Sequence, residues 1–138
     1  MRAMMREMIV DESHCHLEYY LMSGRAAGFI VIKGASTTKF MSEYESGHWE
    51  LRDRLARAVA RVMLRKLGLR RNKIKKADLF PHEEPDTLVL DFRLREITLP
   101  ETLELGSKMK ELADKVRDPE EGKKFVDESF NVIKGGRG

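Results

Sequence analysis

The sequence predicts an α+β fold: a three-stranded, mostly antiparallel sheet packed with one long basic amphipathic helix and closed by a C-terminal helix pair. Three observations carry that expectation. Residues 17–22 and 87–99 alternate apolar and polar side chains with the period of a strand that buries one face, and 27–33 is a short apolar run bounded by turn residues. Residues 49–67 contain neither Gly nor Pro and repeat their apolar side chains at helical spacing. Beyond Pro100 the helical spacing returns twice.

In the first strand Leu17, Tyr19 and Leu21 alternate with His16, Glu18, Tyr20 and Met22. Ser23, Gly24 and Arg25 supply a turn, and Ala-Gly-Phe-Ile-Val-Ile-Lys at 27–33 completes a hairpin. Residues 2–10 fit a short helix or the lead-in to a strand equally well. Residues 34–38 form a loop, and 40–47 lead into the long helix, with Ser46 as its cap and Trp49 anchoring its first turn. On that helix Leu51, Leu55, Ala58, Val59, Val62 and Met63 gather on one side. Gly68 ends it as a left-handed cap, residues 69–76 read as a basic connector, and Pro81 and Pro85 bracket an acidic loop with Glu83, Glu84 and Asp86. In the third strand Leu88, Leu90, Phe92 and Leu94 face one way and Val89, Asp91, Arg93 and Arg95 the other. Pro100 stops it and opens a helix from about Glu101 with Leu105, Met109, Leu112 and Val116 at helical spacing. Asp118 and Pro119 start the last helix, whose stripe is Val126, Phe130 and Ile133. Residues 1–134 therefore read as one domain, with 101–134 as its closing helix pair and 135–138 as a flexible tail.

The chain has 138 residues, 41% hydrophobic and 36% charged, a size that buries about two thirds of its unfolded surface and excludes a multidomain enzyme. Cys15 is the single cysteine, so the domain has no internal disulfide. No apolar run approaches the ~18 residues of a membrane span, and residues 1–10 lack a separate apolar core. A cytoplasmic protein, neither secreted nor in a membrane, is expected. The sequence has no Gln and only two Asn, Asn72 and Asn131, a pattern of ion pairs over labile amides that points to a thermophilic source, although eight Met run against it.

The formal net charge of +3 conceals a partition. Residues 1–51 hold five basic and seven acidic groups, 52–76 hold eleven basic groups and one acid, Asp53, and 77–138 hold ten basic and fifteen acidic. Within the +10 centre, Arg54, Arg57, Arg61 and Arg65 fall within roughly 80° of one another on the helical wheel, beside the apolar face. Arg70, Arg71, Lys73, Lys75 and Lys76 continue the charge along the connector. Stacked like charges cost a few tenths of a kcal/mol per pair in an isolated helix, so a ridge without interleaved Glu calls for an outside anion. Arginine suits phosphate through its planar fork.

These nine residues predict a non-enzymatic nucleic-acid-binding protein, RNA somewhat ahead of DNA, with no cofactor and no bound metal. One alternative is an adaptor or assembly subunit that docks its cationic helix on an acidic protein surface. A second is a small metal-dependent hydrolase using His14 and His16, which would share one face of an extended strand while Cys15 points away, with further ligands drawn from Asp11, Glu12, His48 or His82. Paired-ligand spacing is lacking. The His16-x-Glu18 form of zinc deaminases has no companion Pro-Cys-x-x-Cys. Residues 34–39 end in lysine like a phosphate loop but lack its second glycine and its following Ser or Thr. Asp86 and Asp91, with Arg93, fall on opposite faces of a single strand and so do not form a nuclease carboxylate pair. If the polar face of the third strand is open, Arg93 and Arg95 extend the basic surface and Tyr20 offers a base-stacking platform.

Overall fold

A computed structural model describes residues 5–34 and 49–134. The loop at 35–38, the lead-in at 40–47 with Ser46, most of the 34–39 loop, His48 and the 135–138 tail lie outside the described residues. So do the side chains of Trp49, Leu51, Arg71, Phe130 and Ile133. The fold is α+β, but the sheet has five strands rather than three, and all its pairings are antiparallel. In chain order the elements are β1 (Arg6–Glu12), β2 (Cys15–Tyr20), β3 (Arg25–Lys33), α1 (Trp49–Lys66), a 3-10 turn (Arg71–Lys73), β4 (Ile74–Pro81), β5 (Thr87–Leu94), α2 (Leu99–Lys115) and α3 (Pro119–Lys134). Across the sheet the order is β1-β2-β3-β5-β4.

The two additional strands are the two edges. The stretch at 2–10, which fits a short helix or the lead-in to a strand, supplies most of β1 (Arg6–Glu12), and the 69–76 connector is replaced by the 3-10 turn and the start of β4. Each carries a register shift, at Met8/Val10 in β1 and at Ile74/Lys76 in β4, where one extra residue breaks the two-residue alternation. Lysine on β4 also fits an edge strand, where charge discourages pairing with another chain. The third strand, expected over 87–99, ends at Leu94: Glu96 turns the chain with φ 53°, and Leu99 already belongs to α2.

All three helices cover one face of the sheet. Leu17, Tyr19, Ile30, Ile32, Leu79, Leu88, Leu90 and Phe92 are buried in one cluster with Leu55, Val59 and Met63 of α1, Leu105 and Met109 of α2, and Phe125 and Val126 of α3. Helix α1 packs on β4 and β5 and against α3, while α2 covers β1, β2 and β3. The opposite face, which carries His16, Glu18, Tyr20, Phe29, Asp91 and Arg93, is covered by no described element and lines a cavity. Among the described residues, no helix is long and apolar enough to cross a membrane.

Local chemistry sets the helix starts. Thr98 caps α2: its Oγ1 accepts from the Glu101 amide at 3.2 Å, and the Glu101 carboxylate accepts from the Thr98 amide at 2.9 Å. Those bonds hold the Glu101 carboxyl below its ordinary pKa. Asp118 Oδ2 accepts from the Glu121 amide at the start of α3, and Pro119 opens that helix as expected. The start of α3 then lies hard against the end of β3. A Cβ on Gly122 would meet the Lys33 carbonyl oxygen at 1.7 Å, a backbone atom held by the sheet.

Ala usually improves a helix interior by up to about 1 kcal/mol over Gly. At Gly122 the sign reverses: Gly122→Ala is expected to lower stability by about 2 kcal/mol or more, measured as a fall in the urea midpoint.

Candidate nucleic-acid interface

Helix α1 is buried on two sides. Between Asp53 and Lys66, Leu55, Ala56, Ala58, Val59, Ala60, Val62, Met63 and Leu64 are all buried, against the sheet and against α3. The apolar surface is thus wider than the single stripe expected, because Ala56, Ala60 and Leu64 are covered as well. What remains exposed is a strip of Arg54, Arg57, Arg61 and Arg65, with Asp53 on its margin and Lys66 separate from it in the last turn.

The nine basic residues expected to act together fall into separate environments. Arg54, Arg57 and Arg61 are exposed and make no ion pair among the described residues. Arg65 is not free: its Nη2 lies 2.5 Å from Glu128 Oε2 of α3, and Lys66 Nζ lies 3.4 Å from the other oxygen. Arg70 is exposed, and Arg71 opens the 3-10 turn. Lys73 is also engaged, since its Nζ donates to the Glu96 carbonyl at 2.5 Å while the Lys73 carbonyl accepts from the Arg95 amide at 2.9 Å. That clasp ties the start of β4 to the turn after β5.

Lys75 and Lys76 belong to the sheet. The bulge in β4 leaves Lys75 as the extra residue, and its side chain lines the cavity on the open face. Lys76 stands opposite Arg93 of β5, with Asp78 at 3.7 Å. The next cross-strand pair on the same face is Asp78 opposite Asp91. Partial burial and the neighbouring Asp78 raise the pKa of Asp91 above the usual carboxylate value, against the pull of Arg93 and Lys76.

The open face has a regular plan set by strand register. One row runs Asp11, His16, Phe29, Asp91, Asp78, and the next runs Met8, Glu18, Ala27, Arg93, Lys76. Ala27 is the small residue at the centre of its row, and around it the face sinks into a cavity of about 570 Å³. His16 and Phe29 stack on its wall, ring centroids 5.5 Å apart and planes 9° from parallel. Glu18 is held by Arg6 at 2.9 Å and lies 3.4 Å from His16 Nε2. Tyr20, Arg25, Lys75 and Arg93 complete the rim. Tyr20 and Arg93 had been conditional on this face being open; Arg95 lies beyond the strand. Phe29 escapes the sequence reading because residues 27–33 read as a fully buried strand and Arg25 because it reads as part of the turn, while His16, which the alternation of β2 places with Tyr20, figures there only as a metal ligand.

The histidine pair needed for a metal centre does not form. His14 turns toward the helix layer, 3.0 Å from Asp114 of α2 and 3.4 Å from Glu12, while His16 lies on the open face beside Phe29. Cys15 between them is fully buried, and burial, with Glu12 and Asp114 nearby, pushes its thiol up to about 12. Among the described residues, no three His, Cys, Asp or Glu side chains converge to hold a metal ion. No family model, curated protein or solved structure matches the chain.

Two outcomes test these environments. The pair of Glu128 with Arg65 and Lys66 is a surface interaction, so Glu128→Gln should cost less than about 1 kcal/mol. It should also delay elution from a heparin column by releasing Arg65. Asp91, with a raised folded pKa, adds stability below its unfolded pKa that is lost as pH rises through the folded value. Asp91→Asn should therefore raise the urea midpoint at neutral pH, with the gain vanishing by about pH 3, where the wild-type carboxyl is protonated.

Proposed function

We propose that the protein is a non-enzymatic nucleic-acid-binding protein of the cytoplasm, taking RNA ahead of DNA. The observation that carries the reading is the exposed strip of Arg54, Arg57 and Arg61, successive turns of one helix without an acidic partner among the described residues. Uncompensated arginines at that spacing suit the phosphates of a backbone. Arg70 continues the charge at the end of the helix, and Lys75 and Lys76 carry it around the β4 edge. The burial of α1 on two sides also shapes the contact. A helix seated between a sheet and α3 cannot sink into a groove about 12 Å wide, which favours tracking phosphates over reading the major groove of DNA. Cys15, buried and protonated, suits a reducing compartment.

Of the nine, Arg65 and Lys73 are engaged inside the protein and the Arg71 side chain lies outside the described residues, which leaves six cations for phosphate: Arg54, Arg57, Arg61, Arg70, Lys75 and Lys76. Neutralising about six phosphates of a single strand implies roughly a three-hundredfold loss of affinity between 50 and 200 mM salt. Filter binding with single-stranded RNA checks this. Arg57→Glu combined with Arg61→Glu changes only exposed side chains, so it should keep the thermal midpoint and weaken binding at least about tenfold. Absence of RNA and DNA binding at 50 mM salt, or wild-type affinity in the double variant, rejects the reading. The clasp of Arg65 and Lys66 by Glu128 favours a second reading, in which the strip docks on an acidic protein surface. A complex that survives nuclease treatment and needs Arg57 and Arg61 would assign the strip to such a partner.

A further inference from the structure

We infer that the cavity on the open sheet face is a platform for the unpaired bases of a single RNA strand, gripped separately from the phosphates along α1. The inference rests on the nucleic-acid reading and adds the state of the nucleic acid and the site of its bases. The cavity follows from register. Ala27 sits in the central strand of the sheet with Phe29 and His16 in the adjoining row, so a shallow floor adjoins a wall of two stacked rings. About 570 Å³ falls within the size of sites that hold small organic groups, and it accommodates a base with its sugar.

The chemistry around the floor is that of a nucleotide rather than of an aliphatic ligand. Tyr20 and the stacked pair of Phe29 and His16 line the cavity with aromatic rings, and every base has a face to stack on such rings irrespective of sequence. Arg25, Lys75 and Arg93 stand on the rim as donors for phosphate. Glu18 and Asp91 supply acceptors for the edge of a base. The arrangement is also selective for strand state. In a duplex the base faces are stacked on one another and unavailable, so paired RNA can use the arginine strip but not the platform. Lys75 and Lys76, at the β4 edge, belong to both surfaces and continue the cationic path from Arg70 to Arg93.

The test compares three ligands at one salt concentration: a single-stranded RNA dodecamer carrying 2-aminopurine, a duplex of the same length, and free adenosine monophosphate. The wild-type protein should bind the single strand about tenfold more tightly than the duplex and change the 2-aminopurine emission as the base stacks. Two variants probe the cavity in opposite ways. Phe29→Leu removes a ring while keeping an apolar side chain, and Ala27→Leu fills the floor without removing any binding group. Each should weaken the single-strand complex about tenfold, leave duplex binding and its salt dependence unchanged, and keep the urea midpoint.

The inference is overturned if both variants bind the single strand as the wild type does, or if 2-aminopurine emission does not respond. It is also overturned if adenosine monophosphate binds as tightly as the dodecamer, which would make the cavity a free-nucleotide site. Failure here is separable from failure of the phosphate grip. In the first case the platform variants are silent while Arg57→Glu with Arg61→Glu still loses affinity; in the second, that double variant is silent while the platform variants lose it.

Discussion

The burial of α1 on two sides is the constraint on which the rest of the structure depends. A helix against a sheet alone would hide one stripe and leave most of its circumference to solvent. Here α1 packs on α3 as well as on the sheet, and Ala56, Ala60 and Leu64 join Leu55, Val59 and Met63 in the core. Of the six exposed positions between Asp53 and Lys66, four are arginine. The strip is therefore what two packing interfaces leave uncovered, with Glu128 reaching across from α3 to neutralise its C-terminal end.

The second consequence is a one-sided sheet. With α1, α2 and α3 all on the same face, the other face must solvate itself, and its side chains do so in rows of alternating character. Paired acids at Asp78 and Asp91 lie next to paired cations at Lys76 and Arg93, so neighbouring rows compensate what each cross-strand pair costs. The raised pKa of Asp91 is the residue of that arrangement: partial burial and Asp78 outweigh Arg93 and Lys76. The apolar portion of the face is concentrated where Phe29 lies on His16, beside the gap that Ala27 leaves.

Much of this was legible before the fold was known, for reasons that differ by element. The turn at Ser23 and Gly24, the strands of the central hairpin, the alternation of β5 and the Pro-led start of α3 are written in period and punctuation, and the structure places them accordingly. The edge strands were not legible. In β1 and β4 a bulge shifts the side-chain phase halfway along, and Lys75-Lys76 resembles a loop because consecutive charges on a regular strand would force one of them inward. The arginines of α1 could be placed on one side of a wheel, but the engagement of Arg65 by Glu128, 63 residues away, could not. Nor could the hold of Glu96 on Lys73, which is a backbone carbonyl presented by a left-handed residue. The separation of His14 from His16 likewise depends on a turn preceding β2 that alternation does not report.

The proposed contact with nucleic acid runs along the α1 strip and over the open sheet face, away from the outward side of α2. The most direct measurement is a titration of the 15N-labelled protein with single-stranded RNA at low salt, followed by the backbone amide shifts. The account predicts movement at residues 54–61, at 75–76 and at 16–29 and 91–93, with residues 103–111 of α2 stationary. No movement, or movement confined to α2 and the acidic start of α3, would contradict it.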